Sequence, residues 1–196
     1  MKIGVLALQG DFAEHRAVLE TLGVEAREVR LSSQLEGLDG LIIPGGESTT
    51  IGKLATTYGL IEPLRQFGAS QAIWGTCAGA IFLSCDAQRR QPLLGLMDIT
   101  VERNAFGRQV ESFEADLSIA GIEDPRRPFH AIFIRAPLIL HTGPDVTVMA
   151  SLSGSDGASE PRVVAARQGR MLATSFHPEL TGDARLHRYF LAMADG

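Results

Sequence analysis

The sequence predicts an α/β fold. A three-layer domain over residues 1–196 has a mainly parallel central sheet flanked by helices, with additional antiparallel strands in its second half. Two observations carry this. Short apolar runs bounded by Gly and Pro alternate with helix-spaced segments through the first half, the pattern of a parallel sheet covered on both faces. After residue 98 the pattern changes to short β-prone runs separated by turns.

The first strand is Ile3 to Leu8, ended by Gln9-Gly10. Asp11 reads as an N-cap, and Phe12, His15, Val18, Leu19 and Leu22 recur at helical spacing until Gly23. Val24 to Val29 and Leu38 to Ile43 are the next strands, the latter closed by Pro44-Gly45-Gly46. Glu47-Ser48-Thr49-Thr50 opens a helix to about Tyr58, and Ile61 to Phe67 forms another. Ala72 to Thr76 is a short buried strand, followed by a tight turn at Cys77 and an apolar helix. Ser84 to Pro92 reads as a polar connection. Ile99 to Val110 holds a Gly-bearing turn, and Phe113 to Ile119 alternates like a half-exposed strand. Ala131–Ile134, Leu138–Leu140, Val146–Ala150, Val163–Ala166 and Met171–Thr174 are further strands. Ser151 to Pro161 reads as a mobile Gly/Ser-rich loop, and Asp183 to Met193 as a closing helix.

Composition narrows the function. The formal net charge is −5, and the Lys and Arg residues are scattered, so no basic footprint for nucleic acid is present. No apolar run approaches the length of a membrane span. The two cysteines, Cys77 and Cys85, form no disulfide framework and no zinc-spaced cluster. A reducing cytoplasmic location is the expectation.

The chemistry centres on Gly75-Thr76-Cys77-Ala78-Gly79, the cysteine form of the nucleophile elbow G-x-S-x-G. Such a turn lifts the sulfur to the carboxyl edge of a sheet, at the start of a helix that favours a thiolate. The plainer alternative is a buried structural cysteine in a β-turn-α crossover. A cysteine nucleophile needs a base and an orienter for it. Thr174-Ser175-Phe176-His177-Pro178-Glu179 offers both, because Glu179 can reach back to one imidazole nitrogen. The alternative is a surface turn with an incidental His and Glu. His15 and His187 read as structural or solvated, and His130 and His141 show no evident partner.

Parallel-sheet proteins bind ligands at the carboxyl ends of their strands, where Gln9-Gly10, Gly45-Gly46-Glu47 and Thr76-Cys77-Ala78 should converge. Glu47 opposes a phosphate, and Gly52-Lys53-Leu54 does not fit a P-loop. The loop suits backbone N–H groups approaching a carbonyl, with Glu47 facing a cationic group. Arg103 and Arg135 are candidate partners for a substrate carboxylate, or else members of ordinary salt bridges.

Together these segments resemble class I (triad) glutamine amidotransferases, and more narrowly the glutaminase subunits of pyridoxal 5′-phosphate synthase. The resemblance rests on Gly4-Val5-Leu6-Ala7-Leu8-Gln9-Gly10, Pro44-Gly45-Gly46-Glu47-Ser48-Thr49-Thr50, the elbow, and Val101-Glu102-Arg103-Asn104-Ala105-Phe106-Gly107-Arg108-Gln109. It rests also on Phe133-Ile134-Arg135-Ala136-Pro137 and Ser175-Phe176-His177-Pro178-Glu179-Leu180. It implies a flavodoxin-like fold and hydrolysis of L-glutamine to glutamate and ammonia through a thioester on Cys77. In it His177 shuttles the proton and Glu179 orients the ring. Oxyanion donors fall on backbone N–H groups near Gly46 and Ala78, and glutamine contacts on Gly46, Glu47, Ser48, Arg103, Ile134 and Arg135. Gln9 falls near the oxyanion site and the partner-facing surface. The resemblance further implies no metal or bound cofactor, and a separate barrel-shaped synthase subunit that receives the ammonia in a hetero-oligomeric complex. Two other readings stand beside it: a cysteine peptidase or chaperone-like protein on a similar elbow, and a non-catalytic regulatory subunit. The first usually carries His directly after the cysteine, where this chain has Ala78.

Overall fold

The computed structural model describes residues 1–103, 112–152 and 161–196. In chain order they form β1 (Lys2–Leu6), α1 (Phe12–Thr21), β2 (Glu25–Val29), β3 (Gly40–Ile43), α2 (Ser48–Thr57), α3 (Ile61–Gly68), β4 (Ala72–Thr76), α4 (Ala78–Leu83) and β5 (Ser84–Asp86). They continue through β6 (Met97–Glu102), β7 (Ser112–Leu117), β8 (Phe129–Ile134), β9 (Leu138–Thr142), β10 (Thr147–Leu152), β11 (Arg162–Gln168), β12 (Met171–Thr174) and α5 (Arg185–Asp195).

Among the described residues, ten strands make one mixed sheet. Its parallel half runs β2-β1-β3-β4-β12. From β12 the sheet continues antiparallel through β11 and β9 to β6, with β5 parallel to β6 at the edge and β10 beside β11. β7 and β8 pair as a separate antiparallel hairpin. The central parallel strands β3, β4 and β12 are buried along their whole length, whereas the edge strand β2 alternates exposed and covered residues.

Two cores lie on the two faces. Leu41, Ile43 and Ile73 join α2, α3 and α4 in one, while Ile42, Ala72 and Trp74 join α1, α5 and the β7–β8 hairpin in the other. Neighbours along one strand thus serve opposite cores, the period-two consequence of the pleat. No helix among the described residues is long and apolar enough to cross a membrane.

Several boundaries differ from expectation. β1 stops at Leu6, because residues 7–9 turn away toward the site, although Ala7 N–H still reaches Val29 O at 2.8 Å. β3 begins at Gly40 rather than Leu38. The polar connection after Leu83 contains the short edge strand β5, paired to β6 alone. Ser151 and Leu152 belong to β10, and the rest of the expected loop, 153–160, lies outside the described residues, as does the 104–109 part of the Glu-Arg-Asn motif. Asp11 makes no side-chain cap to α1.

Candidate active site

Register brings the two halves of the site together. Thr76, the last residue of β4, pairs in parallel with Thr174, the last residue of β12. The chain therefore leaves both strands at the same sheet edge, with Cys77 N–H donating to Thr174 O at 2.8 Å. Cys77 takes φ +48°, a left-handed conformation that a side-chain-bearing residue holds only under constraint. The constraint is steric. A Cβ on Gly75 would lie 2.5 Å from the Gly79 carbonyl group, and one on Gly79 would lie 1.9 Å from Ile43 O. The two glycines let strand, turn and α4 close to backbone contact.

His177 is fixed from the hairpin, its N–H donating to Ile132 O at 2.8 Å. Its Nδ1 lies 2.7 Å from Glu179 Oε1 and 3.4 Å from Asp11 Oδ2. Burial works to lower its pKa, but hydrogen bonds with Asp11, Cys77 and Glu179 outweigh it and push the value up to about 12. The ring thus sits between a sulfur and two carboxylates, contacts that favour its protonated form. With Nδ1 committed to the carboxylates, Nε2 is the nitrogen left for Cys77. Burial raises the Glu179 carboxyl from its ordinary value, against the opposing pull of His177. Cys77, His177 and Glu179 are 6%, 4% and 6% exposed, so this charge pair is screened little by solvent. The donor atoms of Asp11, His177 and Glu179 lie within 4.8 Å of one another, close enough to hold a cation. The Nδ1 proton shared with Glu179 occupies the ring lone pair that a metal would need.

The predicted loops meet around one pocket of about 360 Å³. Gln9, Gly46, Glu47, Ser48, Cys77, Ala78, Arg103, Ile134, Arg135 and His177 all line it. The Cys77 sulfur points toward Ile134 O at 3.9 Å. Arg135 holds φ +44°, a second strained residue at the rim. Gln9 Oε1 accepts from Glu47 N–H at 2.6 Å, and Asp11 N–H donates to Gly45 O at 3.1 Å, so the first two loops are laced together. Glu47 is already engaged. One oxygen accepts from Thr49 N–H at 3.1 Å, capping α2, and the other takes Arg103 Nη2 at 2.6 Å. Burial tends to raise its pKa, but the Thr49 and Arg103 bonds lower it overall. Ser48 Oγ reaches Gln91 Oε1 at 3.4 Å, which ties the connection after β5 to the site.

Sequence reasoning missed several of these residues. Asp11 reads as a cap yet faces His177, and its position directly after the Gln9-Gly10 loop was the available signal. Gly45 packs on the imidazole, where a Cβ would lie 2.5 Å from His177 Cε1. His15 and His187 are fully buried, the structural one of the two readings given for them, whereas His130 does have partners, Asp116 at 3.0 Å and Glu114 at 2.9 Å.

A model of the SNO glutamine amidotransferase family matches residues 5–195. The pyridoxal 5′-phosphate synthase subunit PdxT of Roseiflexus sp. (strain RS-1) is 56% identical, over 98% of this chain and 100% of its own length. The protein of the same name from a strain of Thermus thermophilus is 55% identical, over 98% and 97%. A solved structure described as a glutamine amidotransferase superposes with a TM-score of 0.90 at 54% identity, covering 99% of both chains. The chain belongs to the SNO glutamine amidotransferase family.

Proposed function

We propose that this chain is the glutaminase subunit of a pyridoxal 5′-phosphate synthase, hydrolysing L-glutamine and passing the ammonia to a synthase subunit. The carrying observation is the buried meeting of Cys77, His177 and Glu179, with Cys77 and His177 lining a pocket sized for a small amino acid and Glu179 behind the ring. Membership of the family and the PdxT relatives support the substrate and the partner.

The Cys77 thiolate attacks the side-chain amide carbon of glutamine, and the electron pair moves onto oxygen. Backbone N–H groups at Gly46 and Ala78 are the proposed oxyanion donors. His177 gives its proton to the departing nitrogen, and ammonia leaves a γ-glutamyl thioester. The neutral ring then takes a proton from water, which attacks the thioester and releases glutamate and the thiolate. Glu179 keeps Nδ1 protonated throughout and stabilises each imidazolium. Glu47, Ser48, Arg103, Ile134 and Arg135 would grip the α-amino and α-carboxylate groups. For that, the Arg103–Glu47 pair has to open or admit the zwitterion between its charges. Gln9, bonded to Glu47 N–H, would couple this loop to the partner-facing side.

Glutamate release in the presence of a synthase subunit tests the reading. Wild type releases glutamate, and Cys77→Ala abolishes release. Peptide cleavage with no glutamate release would instead favour a peptidase.

A further inference from the structure

Behind the triad lies a second buried polar chain that the proposed reaction does not use. His15 on α1 and His187 on α5 are both 0% exposed, 172 residues apart in sequence. His15 Nδ1 is 3.1 Å from His187 Nε2. Its Nε2 is 3.2 Å from Thr76 Oγ1 and 3.3 Å from Glu179 Oε2. That carboxylate oxygen is fully buried and, among the described residues, has no hydrogen-bond partner, and the same is true of His187 Nδ1.

These contacts fix one direction of donation. If His187 carried its proton on Nδ1, a buried N–H would have no acceptor, which is far costlier than an idle lone pair. His187 therefore carries it on Nε2 and donates to His15 Nδ1. His15 must then carry its own proton on Nε2, facing Thr76 and the open oxygen of Glu179. The opposite tautomer would aim a bare nitrogen lone pair at a buried carboxylate. Burial and the nearby His187 and His177 push the His15 pKa well below its ordinary value, so a neutral, singly protonated ring fits the site.

We propose that His15 is a positioning residue for the triad: its Nε2–H, bonded to Thr76 Oγ1, lies 3.3 Å from Glu179 Oε2 and through this electrostatic contact holds the carboxylate so that Oε1 faces His177 Nδ1. It acts through Glu179 and lies behind it, away from the substrate pocket. The role rests on the glutaminase reading above.

The test uses the full chain with its synthase partner, comparing His15→Leu with His15→Gln, whose amide nitrogen reaches the Nε2 position. His15→Leu is expected to lower kcat about 10- to 100-fold with KM changed by no more than about twofold, and His15→Gln to recover most of the loss. The low-field NMR resonance of the His177 Nδ1 proton should be lost or shifted upfield in His15→Leu and restored in His15→Gln. Should His15→Leu not fold, His15→Asn replaces it, since its amide mimics Nδ1 alone and should not rescue. Equal kcat in the two variants, or an unmoved resonance, overturns the proposal. The resonance is read without turnover, so an inactive wild type would refute the glutaminase reading and leave this one to be judged by the spectrum.

Discussion

At Glu179, a single oxygen lies 2.7 Å from the imidazole, and in the proposed reaction it would orient the ring. Glu179→Gln keeps the shape and removes the charge, and the amide would offer a donor or a weaker acceptor to Nδ1. Turnover should fall by about 100-fold or more while KM stays within a few-fold, read from steady-state glutamate release. A pure KM effect would contradict the assignment. Gly45 makes a different prediction. Its added methyl would sit 2.5 Å from His177 Cε1, so Gly45→Ala should displace the ring and cost roughly tenfold to a hundredfold in kcat. The thermal midpoint of the variant should change little, because the ring has the pocket to move into.

At the level of elements, the strand-elbow-helix unit is the most tightly constrained part of the fold. Gly79→Ala would place a methyl 1.9 Å from Ile43 O, a backbone atom in the sheet centre that cannot rotate away. Destabilisation of about 3 kcal/mol or more is expected, measured by urea unfolding. The packing of α1 and α5 over Trp74 makes a pH prediction. His15 and His187 meet its ring edge to face, with centroids 5.7 and 5.0 Å away. Burial pushes His187 down to about 4, whereas in the unfolded chain it titrates near its ordinary 6.5. Between those values the unfolded state binds the extra proton, so stability is full above about pH 6.5 and falls as the pH drops toward 4. The loss from His187 reaches roughly 3 kcal/mol. Comparing wild type with His187→Gln at pH 7 and pH 5 isolates it: the wild type should lose more.

These elements also show what the sequence makes legible. The elbow, the His-Pro-Glu turn and the glycine loops are local signals, and strand alternation predicts the sheet edge on which they meet. His15 was counted in the apolar stripe of its helix, because helical spacing reports burial and not what a buried nitrogen touches. The Arg103–Glu47 pair spans 56 residues, a distance no local pattern reaches. β5 was missed because Cys85 and Asp86 are exposed and polar, with strand character supplied by β6 alone. The partners of His130 lie across a hairpin whose register becomes visible only in three dimensions.

Across the whole molecule, two cores on opposite faces of one sheet hold the parallel strands in register; their carboxyl ends deliver Gln9, Gly46, Glu47, Ser48, Cys77 and His177, while β6 and β8 bring Arg103, Ile134 and Arg135. The rim is less settled. Ile134 and Leu180, both pocket-lining, expose 36% and 41% of their surface, beside the strained Arg135 and the closed Arg103–Glu47 pair. We expect the isolated chain to turn over glutamine well below the rate of the complex, since partner contact at this rim would open the pair and set the oxyanion loop. Equal rates with and without synthase would contradict this. The central claim is that Cys77 is the nucleophile that meets glutamine. A thiol-directed glutamine analogue, followed by peptide mass spectrometry, tests it most directly. Label is expected on Cys77 alone, suppressed by excess glutamine, with the exposed Cys85 untouched; label on Cys85, or label on Cys77 that glutamine does not suppress, would contradict it.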